Sequence, residues 1–366
     1  MTMNILNKAL IAAALATVAA PCSIAQTSQR LTADKTNEYG LIYTLPSTNV
    51  EITVCIERTV RQPGQFHNYA RKYLNVSDAI MRTDESVKVT QVVLNSFGVA
   101  DPSKRYLAQF KNGSTPFMNI GPENAPLNIN TEETYIVPTA TITEPEEPEE
   151  NPLDTEAARQ AITQEMIQSS STAKKAELAA ARIYELREAR NEIISGRSDQ
   201  SFPDGKALQL ALDNLAAQEA ALTAMFVGTT TVYHDIRSFT FVPTKENVSN
   251  KVIARISPLA GFVGTADLSG APLTLSMHID ELGELPVNEK GVTKTFPKGG
   301  VAYCIPGKAT FTVRYDNREV ASSTFDIAQL GVVFGLDPGM FTDKKAPAFV
   351  IFNPVTGAVT ELGTVR

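Results

Sequence analysis

Tryptophan is absent from the 366 residues, and histidine and cysteine occur three times each. Each scarcity removes a class of chemistry. His67, His234 and His278 have no second histidine, and no cysteine, at the spacing a metal site needs, so no resident metal is expected. No Gly-x-Ser-x-Gly elbow is present, and no phosphate-binding glycine loop; Gly264 and Gly270 frame a loop rather than a strand-to-helix turn. No cofactor is therefore expected. No apolar run reaches the roughly 18 residues that a membrane-crossing helix requires. Basic blocks are missing too. Lysine and arginine total 33 against 40 aspartates and glutamates, a net charge of −7, which makes nucleic acid and anionic membrane surfaces poor partners.

What is present begins with a leader. Lys8 supplies a thin positive region, Ala9 to Ala20 is an unbroken run of apolar and small residues, and Ser23-Ile24-Ala25 places small residues at the third and first positions before a cut. The pattern predicts a signal peptide over 1–25, cleaved after Ala25. The rival reading is lipid attachment at Cys22. It fits poorly, because Pro21 occupies the position where a small residue is wanted. Cleavage removes one lysine and no acid, leaving the mature chain slightly more acidic.

Cys55 and Cys304 remain, on an export route that tolerates disulfides. Both fall on the polar phase of alternating strands. A bridge requires those strands to be neighbours, with Cα atoms within roughly 7 Å. Two free thiols is the favoured expectation.

Alternation of apolar and polar residues predicts strands over Leu41–Leu45 and Val50–Val60, with a turn at Pro46-Ser47-Thr48-Asn49 between them. Pro63-Gly64 breaks the second. Phe66, Tyr69, Ala70, Tyr73 and Leu74 then recur at helical spacing, as packing a short helix on a sheet requires. Val87–Val99 and Arg105–Phe110 are expected strands around a turn at Asp101-Pro102-Ser103, and Tyr135–Ile142 is one more. TEPEEPEENP, 143–152, follows with five glutamates and no base: a stiff, self-repelling linker. After residue 228 the β pattern returns, ending in a hairpin around NPVTG.

Between linker and second β region lie two helical patterns. From Thr172, capped by Ser171 or Thr172 itself, Ala176, Ala179, Ile183, Leu186 and Ile193 share a face, and Gly196 is placed to end the helix. After SDQSFPD, with Asp204 as cap, the second stripe is Leu208, Leu212, Leu215, Leu222 and Phe226. Each stripe carries a charge, Arg190 in the first and Glu219 in the second. A turn centred near Gln200 sets Glu219 opposite Arg182 and about one turn from Arg187, leaving Arg190 to another acceptor. A catalytic role would need a cleft and a partner that the sequence does not show. The expected role is structural, an ion pair holding two helices in register, whose loss through Glu219→Leu would cost about 3 kcal/mol or more if it is buried. A second acidic feature, Asp280, Glu281 and Glu284, has the residue types of a glycosidase, although Asp280 lies on the polar phase of its strand and the others follow it in a loop.

Eight stretches together resemble an uncharacterised exported family of the Bacteroidetes lineage, a domain of unknown function: NEYGLIYTLP, PGQFHNYARKYL, DPSKRY, ELREARNEIISG, AMFVG, ARISPLAGFVGTADLSGAP, QLGVVFGLDPG and FNPVTGAV. They span nearly the whole mature chain. The chain departs from the pattern at Ala254 and Ile256, where aromatics are expected, and at Cys304, where a basic residue is. The resemblance brings no activity and no catalytic residues. It implies a location, the cell envelope and most often the periplasm.

The expected fold is β-rich α+β: two antiparallel, sandwich-like β domains with a central antiparallel helical hairpin. The divisions are a signal peptide 1–25, an N-terminal β domain 38–142, the acidic linker 143–152, the hairpin 153–228 and a C-terminal β domain 229–366. The expected function is non-enzymatic binding or scaffolding of other envelope proteins. The alternative is a periplasmic glycan hydrolase using paired carboxylates such as Asp280 and Glu284.

Overall fold

The computed structural model describes residues 40–110, 116–146, 150–197 and 205–365. The expected leader with Cys22 lies outside them, as do the middle of the acidic linker and the whole SDQSFPD connector with Asp204. In chain order the elements are β1 (Leu41–Gln62), α1 (Ala70–Leu74), β2 (Asp84–Ala108), β3 (Met118–Ile120), β4 (Pro126–Ile129), α2 (Glu156–Ala161), α3 (Gln164–Gln168), α4 (Thr172–Ile194) and α5 (Gly205–Val227). Then come β5 (Thr229–Phe241), β6 (Val248–Ser257), β7 (Gly261–Val263), β8 (Ala271–Glu281), β9 (Val301–Tyr315), β10 (Arg318–Leu336), β11 (Ala348–Phe352) and β12 (Val359–Thr364). The fold is β-rich. Three antiparallel sheets run in the orders β2-β1-β5, β10-β9-β8-β6-β7 and β12-β11-β4-β3.

β1 is the strand on which the architecture turns. The Pro46–Asn49 turn expected from sequence does not form; β1 runs through it for 22 residues. Pro46 has no N–H to give a ladder, and the register shifts between Thr44 and Pro46, so the proline is absorbed at a bulge. The opposite strand shifts in compensation. Residues 101–104 of β2 leave the ladder between the Pro46–Ala100 and Thr44–Arg105 pairs. The Asp101 carboxylate holds that excursion, accepting from Ser103 Oγ at 2.6 Å and Ser47 Oγ at 3.0 Å. Those hydrogen bonds, Ser103 foremost, lower its pKa. The DPS signature is thus a turn inside one strand rather than a link between two.

Just beyond the bulge, Thr48 is fully buried and satisfied by residues far along the chain. Gln329 accepts from the Thr48 N–H at 2.9 Å and donates to the Thr48 carbonyl at 2.7 Å. The Thr48 hydroxyl accepts from the Ala328 N–H and donates to the Val355 carbonyl, both at 3.1 Å. The ladder between β9 and β10 jumps from Ile327 to Val332, which frees Gln329 to make this reach.

The two β regions do not separate at residue 229. β5 pairs with β1 over the length of the strand, and β4 pairs with β11. One core joins Val50, Ile52, Val54 and Ile56 of β1 to Leu273, Leu275, Phe311 and Val313 of the five-stranded sheet. A second joins Tyr43, Leu45 and Ile129 to Val301, Phe341, Val350 and Phe352. The physical reason is that β1 alternates cleanly enough to present an apolar face, and only strands from later in the chain cover it. The expected strand at Tyr135–Ile142 is an extended segment without a ladder; Asn95 donates to and accepts from the Ala140 backbone, and Gln91 accepts from the Thr143 N–H.

The helices have their own core. Ala176, Ala179, Ile183 and Leu186 of α4 meet Leu222 and Phe226 of α5, with Phe66, Ala70, Ala161 and Met166 added. The aromatic run after Pro63 therefore packs on helices, not on a sheet; Phe66 and Phe226 rings lie 5.3 Å apart. The segment before Ser169 is two short helices, each with its own threonine cap, Thr155 for α2 and Thr163 for α3. Ser171 caps α4. At its other end Gly196 takes φ +69°, its N–H meets the Ile193 carbonyl, and the Arg197 N–H meets that of Glu192, a Schellman-type stop.

Candidate functional site

The charged residues of the two helical stripes meet. Arg187 Nε donates to Glu219 Oε1 at 2.6 Å, and Arg190 Nη1 lies 2.9 Å from Glu219 Oε2. Glu219 is the most enclosed of the three, with a side chain 14% exposed against 40% for Arg187 and 35% for Arg190. The Arg187 guanidinium also sits 5.6 Å from the Tyr184 ring. Arg182 does not join. It pairs with Glu185 one turn along its own helix, at 3.0 Å. The register is thus shifted by nearly two turns of α4 from that of a turn centred on Gln200, and Arg190, which the sequence left without an acceptor, takes the second oxygen of Glu219. Its place in the apolar stripe was the available signal; the turn centre was the wrong ruler, because two helices of unequal overhang need not pair symmetrically about their connector.

Beside these three residues the surface is concave. A depression of about 470 Å³ is lined by Arg187, Arg190 and Glu219 at one side, Ala220 and Thr223 along α5, and Pro152 across from them. Two guanidinium groups facing one carboxylate leave one positive charge in excess. Both oxygens of Glu219 are engaged, while most of the guanidinium N–H donors make no other bond among the described residues.

The helices that carry the site are unequally supported. Every buried residue of α4 lies at or before Leu186, and every buried residue of α5 lies at or after Ala221. No residue in 187–197 or 205–220 is buried. The stripe residues there, Ile193, Leu208, Leu212 and Leu215, are half-buried. Ile194 and Leu210 are 67% and 71% exposed.

The other sequence candidates lie apart from this site. Asp280 is exposed at the end of β8 and accepts from Thr310 Oγ1 at 2.7 Å; Glu281 and Glu284 are exposed as well. His67 contacts the Gly64 carbonyl through Nδ1 at 2.7 Å, and His278 is exposed. Among the described residues no three metal-ligating side chains come together. Cys55 and Cys304 are both free and, against the expectation from strand phase, both buried. Cys304 faces inward because its N–H is held by the Gly357 carbonyl and its thiol lies 3.7 Å from the Ala328 carbonyl. Burial pushes that thiol up to about 11.

Residues 39–360 match the family described as Domain of unknown function (DUF4831). The chain belongs to that family. The match runs from the start of β1 into β12, so the family unit contains all three sheets and the helices together. No curated protein matches the chain, and no solved structure does. Among the described residues, no helix is long and apolar enough to cross a membrane.

Proposed function

We propose that this protein is a non-enzymatic component of a Bacteroidetes cell envelope, exported through a cleaved leader over 1–25 and held in the periplasm, where it binds or scaffolds other envelope proteins. In this reading α4 and α5 form an antiparallel hairpin standing on a sandwich-like β body, and the hairpin presents the binding surface. The observation that carries it is the unequal burial along the helices. Their proximal halves are packed with residues of α1, α2 and α3, while their distal halves bury no residue and leave Ile194 and Leu210 exposed. A helical pair of this length offers an extended surface, which suits a protein partner better than a small substrate.

The test is photo-cross-linking in intact cells from positions 194 and 210, with identification of what co-purifies. Recurrent recovery of one envelope complex supports the reading. Recovery of nothing specific, together with glycan turnover lost on Asp280→Asn or Glu284→Gln, overturns it in favour of a hydrolase. The leader is tested by intact mass: a mature chain beginning at Gln26 is expected, and one beginning at Cys22 with added acyl mass would show a lipid anchor instead.

A further inference from the structure

We infer that the notch formed by Arg187, Arg190 and Glu219 is a receptor for a carboxylate, and that its occupant is an acidic peptide segment of a partner protein. This rests on the proposed binding role of the helical pair and names the chemistry of its partner. Three observations converge on the notch. It holds two guanidinium groups against one carboxylate, so it carries an uncompensated positive charge. Glu219 engages Arg187 through Nε and Arg190 through a single Nη, which leaves other guanidinium N–H donors of both arginines for a second carboxylate. The adjoining wall is Ala216, Ala220 and Thr223, short side chains that admit an extended backbone beside the arginines.

The surroundings decide between a free anion and one carried on a peptide. The guanidinium groups are more than one-third exposed. A small hydrated anion gains little there, because solvent and salt screen the contact. A carboxylate on a peptide adds apolar contact along α5 and arrives with its orientation fixed. Glu219 acts as a positioning residue and as an internal competitor for the same donors.

The competitor role gives the test its sign. The probe is a capped hexaglutamate peptide at low ionic strength, titrated into the mature chain while the Nε–Hε signals of Arg187 and Arg190 are followed by NMR. Saturable binding that moves both signals is expected, weakening with added salt. Arg190→Gln should weaken it about tenfold, the equivalent of one charge-assisted hydrogen-bonded contact. Glu219→Gln, which frees donors and removes a negative charge, should tighten it severalfold. A merely structural ion pair would show neither effect. Absence of saturable binding to wild type and Glu219→Gln alike overturns the assignment. So does equal binding of hexaglutamine, stronger binding of inorganic phosphate, or unchanged affinity in both Arg187→Gln and Arg190→Gln. Circular dichroism confirms that each variant is folded; should one fail, the other arginine variant still decides. The two readings fail separately. Cross-linking that recovers one complex equally from wild type and Arg190→Gln leaves the binding arm standing and removes the notch. Hexaglutamate binding without any recovered complex does the reverse.

Discussion

Replacing Glu219 probes how the two long helices hold together beyond their buried halves. A fully buried ion pair that loses one partner costs about 3–5 kcal/mol, and an exposed one at most about 1. Glu219 is nearly enclosed, but both arginines retain more than a third of their exposure and regain water when released. The structure therefore places the cost of Glu219→Leu between those limits, at about 2 kcal/mol, below the 3 expected from sequence. The cleaner measurement is a double-mutant cycle of Glu219→Gln with Arg190→Gln, read from thermal or urea unfolding followed by the helical dichroism signal. A coupling of about 1 kcal/mol is expected, and a second cycle with Arg187→Gln should give a similar value, since each arginine holds its own oxygen. Arg182→Gln paired with Glu219→Gln should be additive, because Arg182 belongs to Glu185. Couplings below about 0.3 kcal/mol for both Arg187 and Arg190 would refute the argument, since they would mean that the helices are registered by their apolar stripes alone.

Thr48→Val leaves the shape of β1 intact but removes the hydroxyl that serves the Ala328 N–H and the Val355 carbonyl, both far along the chain; with two buried backbone groups orphaned, a loss of about 2–4 kcal/mol in urea unfolding is expected, and a loss under about 1 would show that water replaces the hydroxyl. Gly64→Ala sets a Cβ within 2.5 Å of the Met225 and Ala224 carbonyl oxygens at the end of α5. Since neither is a flexible side chain, a clear drop in melting temperature is expected, and an unchanged one would mean that the loop shifts freely. For the thiols, Ellman titration of the mature chain should find two after denaturation without reductant and almost none in the native state near neutral pH, because Cys304 is buried with its thiol raised from 9.0 to about 11. The same raised value makes the folded state lose stability as pH climbs from about 9 to about 11, where the unfolded thiol ionises and the folded one does not; Cys304→Ala should flatten that limb.

How much of this was legible depended on the range of the interactions. Local alternation predicts the return of β structure after residue 228 and the final β11–β12 hairpin, and helical spacing with Gly196 predicts α4 to its last turn. What failed was decided at a distance. PSTN has turn composition, yet β1 continues through it because Gln329, 281 residues away, satisfies the backbone of Thr48. Asp101-Pro102-Ser103 turns, but inside a strand whose two halves stay on the same partner. Cys304 reads as outward-facing on its own strand and is buried by a loop more than fifty residues later. At the candidate site the residue types were visible, and the stripe positions of Arg190 and Glu219 marked them as unusual. The concavity was not, since it depends on how Pro152 is carried back against α5.

The acidic linker and the change of composition at residue 229 suggest independent units, and the connectivity argues otherwise. β1 ends at Gln62 and passes directly into Pro63-Gly64, whose neighbour Phe66 donates its N–H to the Met225 carbonyl at 2.6 Å. α5 ends at Val227, turns at Gly228 with φ +90°, and enters β5, whose first residue pairs with Gln62. A Cβ on Gly228 would stand 2.3 Å from the Gln62 carbonyl oxygen, so the junction admits only glycine. The helical pair is therefore joined at its base to two adjacent strands of one sheet. β1 in turn contributes to two of the three cores. A loosely tethered arm would need its base ordered anew with each partner, losing affinity to that ordering. A base fixed in this way holds Arg187, Arg190 and Glu219 in one geometry before any partner arrives, which is the condition under which a shallow, half-exposed notch retains selectivity for a carboxylate.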